Sequence, residues 1–83
     1  MYEVYIVFRS ITFAQRGQGA LNRRGIVAHL GRSPGKLAKN GCAYALRLRL
    51  SDAKRAVRTL EQDGIPYSAV YQKYGGAYEA LSV

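Results

Sequence analysis

The stretch Gly41-Cys-Ala-Tyr-Ala-Leu-Arg-Leu-Arg-Leu50 decides how the chain folds. In it Tyr44, Leu46, Leu48 and Leu50 alternate with Ala45, Arg47 and Arg49. Successive strand residues point to opposite faces, so this is a half-buried strand with leucines inward and arginines outward. The chain's one cysteine, Cys42, stands just before it, after an Asn40-Gly41 turn signal.

Upstream, Tyr2 to Arg9 (YEVYIVFR) is rich in aromatic and β-branched residues and too short for a free-standing helix. It reads as a strand central in a sheet. Tyr2, Val4, Ile6 and Phe8 share one face, and Glu3, Tyr5, Val7 and Arg9 the other. Ser10 and Thr12 are both candidate N-caps for the helix that follows. Phe13, Gly17, Ala20, Leu21 and Arg24 fall at helical spacing. Gly17 on this packing face predicts a close approach to the sheet, and Gly25 sits where a left-handed C-cap belongs. Ile26 to Leu30 is expected as a short second strand. Gly31 to Gly35 is a loop by composition, and Lys36 to Lys39 a single helical turn.

Downstream, Ser51 is the expected cap of a second helix, with Asp52 at its positive end. Ala53, Ala56, Val57 and Leu60 form its packing face, and Gly64 ends it. Ile65 to Tyr71 reads as a fourth strand, with Pro66 suiting an edge. Gly75-Gly76 between two short alternating runs is a hairpin signal for a fifth edge strand. The alternative for residues 72–83 is a frayed tail. The order β-α-β-β-α-β points to an α+β ferredoxin-like sandwich with two helices on one face of an antiparallel sheet. Its expected strand order is 4-1-3-2.

Eighty-three residues make one domain, 1–83, with a single core. No apolar run nears the roughly 20 residues of a membrane helix, so no membrane partner is expected. The N-terminus shows no basic region, apolar core or cleavage site of an export signal. One cysteine makes no internal disulfide, and no Cys/His spacing suggests a metal, so no cofactor is expected. A reducing cytoplasm is the expected location. Lys and Arg number 13 against 5 Asp and Glu, a net charge of +8. No acidic residue lies between Glu3 and Asp52, while nine basic ones do. Such a surface either keeps the protein soluble or attracts anions: nucleic acid, an acidic partner or an oxyanion.

The expected topology puts the head of the third strand at the end where the first strand finishes. Cys42 then lies near Arg9 and the helix start at Ser10 and Thr12. The loop to Gly41, carrying Arg32, Lys36 and Lys39, closes over the same end. A helix N-terminus and cationic neighbours lower a thiol pKa from about 8.5 into the range of about 3.5–7.5. The plainer reading is an inert buried cysteine.

Val7-Phe8-Arg9-Ser10, the helix to Gly25-Ile26, Ser33-Pro34, Gly41-Cys-Ala-Tyr-Ala-Leu-Arg47 and Gly64-Ile-Pro-Tyr67 together resemble the selenium/sulfur carrier protein-like family of small bacterial domains. The resemblance covers about residues 4–71, leaving 72–83 as an extension. It implies that Cys42 carries sulfur or selenium as a persulfide-like species, supported by Arg9, Ser10 and Thr12. It also implies protein donors or acceptors of that atom. With no Cys or His partner for a full cycle, a carrier or adaptor is expected more than a turnover enzyme. His29 reads as a surface residue.

Two other functions fit the pattern. A nucleic-acid-binding face would use Tyr5, Arg47 and Arg49, although the aromatic consensus of RNA-recognition domains is absent. An assembly module would use an apolar open face of Tyr5, Val7, Tyr67 and Tyr71. That face would form a homodimer or be covered by Tyr74, Tyr78 and Leu81.

Overall fold

The computed structural model describes residues 2–38 and 41–82. Strand β1 (Glu3–Phe8) leads to helix α1 (Ile11–Arg23), followed by β2 (His29–Arg32) and β3 (Tyr44–Arg49). A 3-10 turn (Leu50–Asp52) precedes helix α2 (Ala53–Gln62), then β4 (Ala69–Tyr74) and β5 (Ala77–Ala80). The protein is an α+β structure whose five strands run in the order β2-β3-β1-β4-β5, each antiparallel to its neighbours. This differs from the four-stranded order expected, because β5 takes the edge outside β4.

The two faces of the sheet have different covers. Val4, Ile6, Phe8, Leu46, Leu48 and Val70 pack under Ala14, Ala20 and Leu21 of α1 and Ala56, Val57 and Leu60 of α2. This is the main core. On the other face Tyr5, Val7 and Ala45 form a smaller cluster with Leu37 and Cys42, flanked by Ala69, Tyr71 and Tyr78. The alternation along β1 and β3 sorts these residues, as a period of two requires.

Gly17 permits the close seating of α1. A Cβ there would stand 3.2 Å from both Phe8 Cζ and Leu60 Cδ2, and 3.3 Å from Leu46 Cδ1. Both helices end alike. The amide of Ile26 donates to the carbonyl of Leu21 and that of Ile65 to Leu60, each at 2.9 Å. Gly25 and Gly64 between them take φ of 76° and 66°. This is the left-handed Schellman stop, in which the isoleucine after the glycine packs back on its own helix.

That stop corrects two expected strands. Ile26 and Ile65 are buried core residues that close helices, so β2 starts only at His29 and β4 only at Ala69. Pro66 therefore precedes β4, and β4 is interior because β5 covers its outer side. Ser51 is also corrected: it lies in the 3-10 turn, and the residue before α2 is Asp52, whose side chain makes no capping bond. Asp52 is buried and paired with Arg49 at 3.3 Å and Arg55 at 3.7 Å.

The Gly75-Gly76 signal gives the β4–β5 hairpin, with Gly75 at φ 60°. Tyr78 of β5 comes down on Tyr5, while Leu81 packs against the main core. Tyr74 pairs edge-on with Tyr2 at 5.0 Å. Tyr67 packs against the main core and does not join the open face.

Candidate functional site

Cys42 is a free thiol with 7% of its surface exposed. It follows Gly41, whose φ of 81° makes the left-handed turn that glycine adopts without a steric penalty. Its side chain belongs to the smaller cluster, with Leu37 and the sheet residues Tyr5, Val7 and Ala45. The sheet stands between this cluster and the main core.

The loop between β2 and β3 is tied down on both sides. The Ser33 amide donates to the Ala43 carbonyl at 2.8 Å, extending the β2–β3 ladder one step beyond its strands. The amides of Leu37 and Ala38 donate to the Pro34 carbonyl at 2.8 and 3.1 Å, closing a turn. That turn delivers Leu37, buried, onto the open face. The Ser33 hydroxyl is enclosed and has no hydrogen-bond partner among the described residues.

The residues expected around the sulfur are distributed as follows. Ser10 is the N-cap of α1, its hydroxyl accepting from the amides of Thr12 at 3.0 Å and Phe13 at 3.4 Å. Those two amides are therefore already satisfied. Arg9 is exposed and borders a pocket with Phe13, Pro66, Tyr67 and Ser68, beside the approach to β4. Arg32 stacks over Tyr44, 5.8 Å from the ring centre. Lys36 borders a groove with Leu37, Tyr71, Ala77 and Tyr78. Lys39, with Asn40 of the turn signal, lies outside the described residues.

The surface considered for nucleic acid takes a different form. Tyr5 retains only 8% exposure, and Tyr78 meets its ring edge-on at 5.7 Å, so it offers no free face for stacking a base. Burial, with the charge of Glu3 second, raises the Tyr5 phenol above its ordinary value. Arg47 donates to Glu3 across the β1–β3 pair at 2.7 Å, and this hydrogen bond holds its guanidinium more firmly protonated. Arg49 pairs with Asp52.

What these placements bring together is a row across the sheet. His29 stands opposite Arg47, Arg47 opposite Tyr5, and Tyr5 opposite Tyr71. His29 is exposed, as the sequence reading expected, and strand pairing sets it beside Arg47. Tyr5, His29, Arg32 and Arg47 share a cavity of about 220 Å³ with Leu30, Gly31, Pro34 and Ala45. Tyr5 and Ala45 also belong to the Cys42 cluster, so cavity and sulfur share a wall.

Among the described residues no group of three acidic, His or Cys side chains is placed to hold a metal, and no helix is long and apolar enough to cross a membrane. Comparison with curated proteins and with solved structures returns no match to the chain. A family match does exist and spans residues 3–72, from the start of β1 into β4, taking in the loop and its cysteine. The chain belongs to the Putative Se/S carrier protein-like family.

Proposed function

We propose that the protein carries sulfur or selenium on Cys42, handing it between partner proteins. The observation that supports this reading most is family membership over a segment that contains the chain's single cysteine. In the transfer step the Cys42 thiolate attacks the terminal sulfur of a donor persulfide. A new sulfur–sulfur bond forms as the donor's bond breaks, and the donor leaves as its thiolate. Cys42 then holds the transferred atom until an acceptor thiolate removes it by the same exchange. No oxidant is consumed, and no second protein residue is required.

The burial of Cys42 fits a carrier in one specific way. A persulfide exposed to water and small thiols is lost to exchange, so shelter within the small cluster protects the cargo between partners. The same shelter requires the loop to lift when a partner docks. We assign partner contact and support of the Cys42 thiolate to Arg9, Ser10, Thr12, Arg32, Lys36, Lys39 and Gly41. We also assign to this carrier a ferredoxin-like core of β1 to β4 with β5 added, and a reducing cytoplasmic setting.

The test is thiol chemistry on the folded protein. Cys42 is alkylated with a small iodoacetamide-type reagent between about pH 5 and 9, and separately loaded from a persulfide donor. A carrier gives a one-atom mass increase on Cys42 that a second thiol removes. If the thiol reacts only under unfolding conditions and takes no sulfur from any donor, Cys42 is a packing residue and the proposal fails.

A further inference from the structure

We propose that the groove between Lys36-Leu37 and the β4–β5 hairpin is the docking site for an acidic segment of the partner protein that exchanges its atom with Cys42. As the place where that partner docks it rests on the carrier reading; as a groove for an acidic segment it does not need the thiol.

The groove joins apolar surface to positive charge. Leu37, Tyr71, Ala77 and Tyr78 line it together with Lys36, and no acidic residue does. Lys73 stands over the Tyr78 ring, 5.9 Å from its centre. Strand alternation puts Lys73 on the open face with Tyr5 and Tyr71, and its charge acts on the Tyr5 phenol. Glu79, next to Tyr78 in β5, is turned to the opposite face by the same alternation. Among the described residues neither Lys36 nor Lys73 is in an ion pair. Arg47 and Arg49, by contrast, are already held by Glu3 and Asp52. Lysine ammonium groups are donors only, and the tyrosine hydroxyls can donate as well. The chemistry that this lining leaves unmet is that of carboxylates.

Size and position select the occupant. The groove holds about 450 Å³, within the range of about 300–1,000 Å³ usual for binding clefts. It takes an apolar side chain against Leu37 and the tyrosines, with neighbouring carboxylates reaching the lysines. The two lysines make a short charge track. That suits a pair of carboxylates, whereas nucleic acid is held by a longer run of phosphate contacts. A second copy of the chain is a poor occupant, because each copy carries a net charge of +8. Leu37 belongs both to the groove and to the Cys42 cluster, and Tyr71 and Tyr78 flank that cluster. A segment seated here therefore touches residues packed around the sulfur.

The experiment titrates the full-length, isotope-labelled protein with a short synthetic peptide in which glutamates flank one leucine, and with its glutamine counterpart, followed by amide NMR. The groove predicts saturable shifts centred on Lys36, Leu37, Tyr71, Lys73 and Tyr78 for the acidic peptide and not for the neutral one. Affinity falls as chloride is added. Lys36→Gln and Lys73→Gln each weaken binding about two- to fivefold, as loss of one exposed ion pair does. Arg58→Gln, exposed on α2, leaves it unchanged. Cys42→Ala binds the peptide as the parent does. Loss of peptide binding with sulfur loading intact therefore strikes this groove alone, and failure to load with binding intact strikes the carrier reading. Equal binding of the neutral peptide, shifts that spread over Arg16, Arg23 and Arg58 of the helices, or unchanged affinity in both lysine variants overturn the proposal. So does tighter binding of a single-stranded oligonucleotide at the same residues.

Discussion

Tyr78 of the last strand meets Tyr5 of the first edge-on, with ring centres 5.7 Å apart and planes at 60°. The pair joins the C-terminal hairpin to the centre of the open face. Aromatic contacts of this geometry contribute about 0.5–1.5 kcal/mol beyond the area they bury. Tyr78→Ala is therefore expected to lower stability to urea by about 1–2 kcal/mol. It also uncovers Tyr5, so sedimentation should show stronger self-association in the variant than in the parent.

Gly17 and Gly19 lie two residues apart in α1 and respond oppositely to alanine. The Gly19 Cβ would meet only the tip of Arg23, at 3.6 Å. Gly19→Ala therefore keeps the helix-propensity gain and stabilises by about 0.5–1 kcal/mol. At Gly17 the Cβ presses on Phe8, Leu46 and Leu60 at 3.2–3.3 Å. There overpacking of about 1–3 kcal/mol exceeds the same gain, and Gly17→Ala destabilises. Thermal melts of the two variants side by side check the difference in sign.

Leu37 and Cys42 are buried in the same small cluster, so loosening the first is expected to expose the second. Leu37→Ala removes a buried leucine at a cost of about 2–5 kcal/mol. If part of that cost falls on seating the loop, the native alkylation rate of Cys42 rises roughly tenfold or more. The check is the rate at a fixed pH in parent and variant, with far-UV circular dichroism showing that both remain folded. An unchanged rate would mean that the loop does not gate the thiol.

Alkaline pH should weaken the fold through two phenols. Burial raises both Tyr5 and Tyr67 above 10.0, with the charge of Glu3 next in importance at Tyr5 and that of Glu61 at Tyr67. A raised phenol binds its proton more tightly in the folded state than in the unfolded one. Its contribution is complete below about pH 10 and is lost as pH rises through the higher folded value. Denaturation midpoints should fall above about pH 10. In Tyr5→Phe and Tyr67→Phe the phenolate absorbance gained at the highest pH should shrink.

The central strands were legible because their chemistry matches their geometry. Tyr2–Arg9 is apolar on both sides, and it lies between β3 and β4. The Leu46-Arg47-Leu48-Arg49 alternation sorts a core face from a wet one. The two glycine stops and the Gly75-Gly76 hairpin were legible because each position requires a backbone that glycine supplies. The starts of β2 and β4 were not. Ile26 and Ile65 carry the hydrophobicity of strand residues but spend it closing helices, a contact that a period count cannot distinguish from pairing. The fate of Cys42 was also hidden. Position in the chain put it at the head of β3, whereas it is buried in a cluster that includes Leu37, delivered by a turn around Pro34.

The sheet divides the protein into two compartments with separate duties. Interlocked helices and strands on one side hold the fold together, while the sulfur lies on the other in a small cluster with Leu37, Tyr5, Val7 and Ala45. An extra atom attached to that sulfur would push against thin cover instead of the helical layer. A carrier built this way would therefore load and unload at little expense to the integrity of the whole.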